Sequence, residues 1–235
     1  MSSLVFQSKT IHPLRIYMVG HQPKRFDWPE AKGDLVAILS EDPGDALLAV
    51  PASTANDSGY GLVRQALFNS ALRTDGILYR GSGPAIIMTQ SADCPFTVVQ
   101  DEETGDVVVA HCGKYAMRPC TERGCGNMVT TALSYFPGVD PIRLSAYITA
   151  GICGRCYTHE QDLSHTVSFY NRVDHGEDRE RGELDLIRRI KHQLRFADIP
   201  EANIEIDGRC TKETPGLSSN RRGDTSRSTI IVQIG

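Results

Sequence analysis

The alternation of apolar and polar positions predicts many short strands broken by turns, with few long helices. Leu14 to Val19, Asp34 to Leu39 and Ala46 to Val50 are the first strand-like runs. Asn56 to Gly61 is a turn-rich lead-in where Asp57 or Ser58 can cap a helix, and Leu62, Ala66, Leu67 and Ala71 then line one helical face. Asp75-Gly76 ends that helix, and Ile77 to Tyr79 and Ala85 to Thr89 return to strand around Gly81-Ser82-Gly83-Pro84. Phe96 to Gln100 and Asp106 to Ala110, joined by Asp101-Glu102-Glu103-Thr104-Gly105, read as a hairpin. A helix from about Thr121 to Phe136, stopped by Pro137-Gly138, precedes a strand from Leu144 to Thr149. Asn171 to Gly182 is charged and reads as a solvated loop; Leu184, Ile187, Ile190 and Leu194 then mark an amphipathic helix. Asn203 to Ile206 and Ser228 to Ile234 are the closing strands. Irregular alternation of this kind implies an α/β (α+β) fold, with mixed sheets covered by helices, in a single domain spanning residues 1–235.

The hairpin's register carries the first chemical expectation. If the turn closes symmetrically, Gln100 faces Val107 and Phe96 faces His111, so Cys94, two residues further, shares a face with His111. Diagonal neighbours on one face lie roughly 7–8 Å apart. A one-residue slip would send the two side chains to opposite faces. The competing reading is a buried cysteine and a rim histidine with no chemistry between them.

Composition narrows the function classes. A chain of 235 residues with 40% hydrophobic content can bury a substantial core. A formal charge of −4, a pI near 6.0 and the lack of a Lys/Arg run argue against a nucleic-acid surface. No apolar run reaches membrane-spanning length, and Met1-Ser2-Ser3-Leu4 lacks the features of a signal peptide. Seven cysteines, an odd number, fit a reduced cytoplasmic protein better than a disulfide scaffold. No internal repeat stands out.

Other residues invite chemistry at lower specificity. Cys153-Gly154-Arg155-Cys156 has CxxC spacing; the second pair, Cys120 and Cys125, has four intervening residues, which weakens a structural zinc signal and favours unpaired thiols near a pocket. The segment after Cys156 is also a poor helix start for thioredoxin-like chemistry. Arg221, Arg222 and Arg227 sit in a loop of small residues that can hold phosphate or carboxylate, or simply be solvated. The amides at the start of the 121–136 helix would lie near His111 and favour an anion. His159, His165 and His175 are further ligand candidates, whereas His12, His21 and His192 read as surface positions.

Several segments together resemble the YfiH-like laccase-domain proteins, also described as polyphenol oxidoreductases, purine nucleoside phosphorylases and peptidoglycan editing factors. Thr74-Asp75-Gly76-Ile77-Leu78, Ala92-Asp93-Cys94-Pro95 and Ala110-His111-Cys112-Gly113 are similar to the family's Asp-Gly strand, Ala-Asp-Cys-x-Pro strand and Ala-His-x-Gly segment. Gly151 to Tyr157, Leu184-Asp185-Leu186 with Gln193-Leu194, Cys210-Thr211 and Ser219-Asn220-Arg221-Arg222 with Thr225-Ser226-Arg227 follow in the family's order. The likeness spans roughly residues 74–235. Two features depart from it: the family's upstream Gln-Val-His-Gly has no histidine counterpart between Ala46 and Thr74, and Lys114-Tyr115-Ala116 replaces its Trp-Arg-Gly.

The resemblance implies a four-layer α/β/β/α sandwich and a cytoplasmic, mostly monomeric enzyme acting on purine nucleosides. The activities it implies are phosphorolysis of adenosine, inosine or methylthioadenosine, with phosphate as co-substrate, and deamination of adenosine. It places Cys94 and His111 as zinc ligands needing a third donor, for which Cys112, Cys153 and Cys156 are candidates, or otherwise as a thiolate–imidazole pair. Asp93 would orient one of them, and Arg221, Arg222 and Arg227 would hold phosphate. Two alternatives stand beside this reading: a homologue that binds a ligand or partner without turnover, and a cysteine hydrolase acting on a peptidoglycan precursor with Cys94 as nucleophile. Multicopper oxidation needs more clustered histidines than the chain offers.

Overall fold

Described in the computed structural model are residues 5–11, 14–22, 47–51, 63–65, 70–72, 74–80, 83–114, 116–117, 127–157 and 184–235. They form strands β1 (Val5–Ile11), β2 (Leu14–Gln22), β3 (Leu47–Pro51), β4 (Val63–Gln65), β5 (Ser70–Leu72), β6 (Gly76–Tyr79), β7 (Ala85–Ser91), β8 (Phe96–Asp101), β9 (Val107–His111), β10 (Leu144–Ile148), β11 (Ile204–Ile206) and β12 (Arg227–Ile234). Two α-helices accompany them, α1 (Met128–Leu133) and α2 (Leu186–Phe196). The strands make two six-stranded sheets, ordered β1-β2-β12-β7-β3-β5 and β11-β10-β8-β9-β6-β4. Both are mixed: β3 runs parallel to β5 and β7, β4 parallel to β6, and β10 parallel to β11, amid antiparallel neighbours.

The second sheet is buried on both faces, and its pleat sorts its side chains between two cores. Ile77, Tyr79, Phe96, Val98, Val107, Val109 and Tyr147 face the first sheet and meet Leu14, Ile16, Ile87 and Ile230. Leu78, Val99, Val108, Ala110, Ala146 and Ile148 face the helices and meet Met128, Val129, Leu186, Ile190 and Leu194. Each fully buried Val, Leu, Ile, Phe or Met among them contributes about 1.5–3 kcal/mol. Burial on both faces explains why β8 and β9 are continuous apolar runs. The described layers are therefore sheet, sheet, helices; among the described residues no α-helix covers the outer face of the first sheet, as the expected α/β/β/α arrangement would have it. No helix is long and apolar enough to cross a membrane among the described residues.

The expected helix on Leu62, Ala66, Leu67 and Ala71 is corrected. Val63–Gln65 adds a parallel edge strand to β6, and Ser70–Leu72 adds one to β3. Pairing with an open sheet edge outweighs the local helical spacing. The 121–136 helix is described only from Met128, where Asn127 caps it by accepting from the amides of Val129 (3.0 Å) and Thr130 (3.3 Å). Those amides are thus already satisfied, which removes the anion site expected there. In α2, Asp185 is the N-cap, accepting from Arg188 N, and Leu186, Ile190 and Leu194 form the buried stripe. The strand expected at 34–39, the turn at 56–61, the loop at 171–182, His12, Cys120, Cys125, His159, His165 and His175 fall outside the described residues.

Candidate functional site

Three adjacent interior strands of the second sheet, β8, β9 and β6, bring together Cys94, His111 and Asp75 at their ends. The hairpin closes in the register expected from sequence, with Phe96 opposite His111 and Gln100 opposite Val107. Gly76 pairs with Ala110, so Asp75 stands across from His111, and the His111 amide donates to Asp75 O at 2.7 Å. His111 closes β9, and its ring lies 5.0 Å from that of Phe96 on the face toward the first sheet. Cys94 immediately precedes Pro95 and β8, and Ser91 Oγ donates to its carbonyl at 2.6 Å. The thiol and imidazole flank one point in space: a Cβ on Gly113 would sit 2.8 Å from His111 Cε1 and 3.0 Å from Cys94 Sγ. A side chain longer than hydrogen at 113 would therefore force the pair apart.

His111 is buried between two groups that favour its charged form. Its Nδ1 lies 3.9 Å from Asp75 Oδ1, an ion-pair contact too long for a hydrogen bond, and this nitrogen has no hydrogen-bond partner. Burial pushes the imidazole toward neutrality, but the Asp75 carboxylate and the Cys94 thiol outweigh it and raise the pKa to about 9. A protonated ring at neutral pH, aimed at a half-buried thiol on one side and a carboxylate on the other, is a proton donor in waiting. Asp75 reads in the sequence as a helix stop and as part of the Asp-Gly strand motif; the strand pairing is what sets it beside His111.

Asp93 holds this centre to the C-terminal loop. Its φ is +88°, unusual for a residue with a side chain. Three partners fix it: Thr211 Oγ1 donates to Oδ1 at 2.8 Å, Arg221 N donates to Oδ2 at 3.0 Å, and Ile152 N donates to its carbonyl at 2.8 Å. The carboxylate thus positions Cys94 through the backbone. The three loop arginines separate in role. Arg222 staples the loop, donating to the carbonyls of Thr211, Lys212, Thr214 and Leu217 and to Asp224. Arg227 bonds Asn220 Oδ1 and the Ser226 carbonyl, both at 3.1 Å. Arg221, exposed, carries its guanidinium 4.8 Å above the Tyr157 ring.

The proposed third ligands do not gather at Cys94 and His111. Cys112 turns to the helix side, where its thiol contacts Thr97 Oγ1 at 3.3 Å and burial pushes its pKa up to about 12. Cys153 and Cys156 instead join Cys210 and Glu213, with four ligand atoms all within 4.8 Å of one another. Two turns build this group: Cys153 to Cys156 over the short 3-10 turn Gly154–Cys156, and Cys210 to Glu213, whose amide returns to the Cys210 carbonyl at 3.2 Å. The bridge between Gly151 and Cys210 aligns them. Burial works against a Cys210 thiolate, but amide donors including Cys153 N, 3.4 Å from Sγ, outweigh it and lower the pKa. Burial and the neighbouring thiols push Cys156 up to about 12. The signal missed in the sequence was Cys210-x-x-Glu213, the partner of Cys153-x-x-Cys156.

The family model described as multi-copper polyphenol oxidoreductase laccase matches residues 44–234. Solved structures of the same fold include Bacillus licheniformis hypothetical protein YfiH, 18% identical, with a TM-score of 0.71, covering 95% of this chain and 94% of that one. YlmD from Geobacillus stearothermophilus is 16% identical with a TM-score of 0.73, covering 94% and 92%. A Neisseria meningitidis protein is 16% identical with a TM-score of 0.72, covering 98% of each chain. No curated protein matches the chain.

Proposed function

The chain belongs to the multi-copper polyphenol oxidoreductase laccase family, and from that premise we propose that it is a purine nucleoside-processing enzyme working by phosphorolysis at Cys94, His111 and Asp75. The observation that carries this reading is the buried imidazole between thiol and carboxylate, tied through Asp93 to the loop that presents Arg221.

The described residues do not by themselves complete a site at this centre for the metals the family implies. Among the described residues the donor that stands with Cys94 and His111 is the Asp75 carboxylate, 3.9 Å from His111 Nδ1, and no second imidazole joins His111, as a copper oxidase site requires. Deamination, which needs an activated water, has less support than phosphorolysis, which needs an anion, a held nucleoside and a proton for the departing base.

In phosphorolysis, Arg221 binds phosphate through charge-assisted hydrogen bonds and sets a phosphate oxygen behind the ribose C1′. The C1′–O bond forms as the C1′–N9 bond breaks, and the bond's electron pair leaves with the purine. His111 protonates the departing base, and Asp75 stabilises the ring before that transfer. Cys94 keeps the imidazole aimed. The same three residues also suit a thiol hydrolase acting on a peptidoglycan precursor. The position of Asp75 on the Nδ1 side of His111, with Cys94 beside the same ring, is the observation in its favour.

Incubation with adenosine, inosine or methylthioadenosine, with and without phosphate, separates the two. Phosphate-dependent release of free base, abolished in His111→Gln and only reduced in Cys94→Ser, is the expected result. No base release, together with precursor hydrolysis that disappears in Cys94→Ser, would overturn phosphorolysis in favour of the hydrolase.

A further inference from the structure

We propose that Cys153, Cys156, Cys210 and Glu213 form a structural zinc site, separate from the Cys94–His111 centre, that braces the turn carrying Cys94. Four observations carry it. The four ligand atoms already lie within 4.8 Å of one another, and a tetrahedron with Zn–S bonds near 2.3 Å has edges of about 3.8 Å, so a small contraction completes the shell. Each half of the set is a ligand-x-x-ligand turn, Cys153 to Cys156 and Cys210 to Glu213, the arrangement by which short turns aim two donors at one ion. The Cys153 amide points at Cys210 Sγ at 3.4 Å, the kind of N–H donation that supports a metal-bound sulfur. Cys156 Sγ and Glu213 Oε1 approach to 3.5 Å, while Arg155 stands 3.6 Å from the same carboxylate and offsets the negative charge of the set.

Three thiolates select a soft or borderline ion, which favours zinc over magnesium or calcium. Four protein donors leave no open position, so the site is structural rather than catalytic. Cys210 is buried, Cys153 and Cys156 are half-buried and Glu213 is exposed, which gives the ion an entry path from solvent. Binding would lock residues 151–157 to residues 210–213. Both segments hold Asp93, through Ile152 N and Thr211 Oγ1, so the clamp's consequence reaches the residue next to Cys94.

The test is zinc content of untagged protein purified under reducing conditions, together with cobalt substitution of the same protein. About one zinc per chain, a thiolate-to-cobalt charge-transfer band, and loss of both in Cys210→Ser but in neither Cys94→Ser nor His111→Gln are expected. Glu213→Gln, an exposed change that spares the fold, should weaken zinc retention during chelator challenge. Wild-type protein that takes up no zinc or cobalt would overturn the proposal. So would metal whose loss follows Cys94→Ser instead, or mass spectrometry showing a disulfide within the trio in protein that never held zinc.

Discussion

The two cysteine centres are built by different means. Cys94 is set by strand ends: adjacent strands of one sheet fix it beside His111 and Asp75, and the pleat sends Cys112 the other way. Cys210 is set by loops, meeting Cys153 across 57 residues of chain through a single bridge and a few amide contacts. The first gathers one thiol, one imidazole and one carboxylate in the interior, a composition suited to moving protons. The second gathers three sulfurs and a carboxylate near solvent, a composition suited to holding an ion. Interior strands, paired on both sides, by themselves give the rigidity that a reacting pair needs. A loop cluster needs something to close it.

The largest expected effect falls on the strand-end centre. Removing the proton donor in His111→Gln should lower kcat/KM for nucleoside phosphorolysis by roughly 10²–10⁴-fold, as general acid catalysis is worth. Steady-state assays check it, and a change under tenfold would break the distinction between the centres. Next comes the link between them. Asp93→Ala removes a buried carboxylate that accepts from Thr211 and the Arg221 amide, and should cost roughly 2–4 kcal/mol of stability by urea denaturation. An unchanged midpoint would show that the link carries no load.

Gly113→Ala places a methyl against both Cys94 Sγ and His111 Cε1. Overpacking of this kind costs about 1–3 kcal/mol, and here it should also depress turnover while leaving zinc content unchanged. Thermal melting, turnover and metal analysis of one preparation check all three.

The smallest effect is electrostatic. Because the folded pKa of His111 is raised to about 9 from an ordinary 6.5, its stabilising contribution is fully present below pH 6.5 and is lost as pH rises toward 9. Wild-type Tm should therefore fall across that window relative to His111→Gln. In Asp75→Asn the ring loses one of the groups that raise it, and the falling limb of the pH–rate profile should move to lower pH. Parallel Tm curves for wild type and His111→Gln would remove the charge assigned to the ring.

What the sequence revealed follows from the same contrast. The Phe96–His111 register was readable because apolar alternation and a five-residue turn leave little freedom in pairing, so Cys94 and His111 could be placed together without coordinates. The strands at Val63–Gln65 and Ser70–Leu72 were not readable, because their spacing also fits a helix and only the open edges of β6 and β3 decide between the two. Asp75 was visible as a residue but not as a neighbour, since its role depends on a non-local antiparallel pair. Arg222 looked like an anion ligand, yet its guanidinium is bound to loop carbonyls that no sequence pattern announces. Cys210 and Glu213 were hidden for the same reason: their partners arrive from a distant turn.

The division of labour is tested most directly by measuring phosphate-dependent base release from inosine and zinc per chain on the same sample of His111→Gln. Turnover falling by at least a hundredfold while zinc stays at the wild-type level is the expected result. Retained turnover, or zinc lost along with it, would contradict the assignment of proton transfer to the strand ends and metal to the loops.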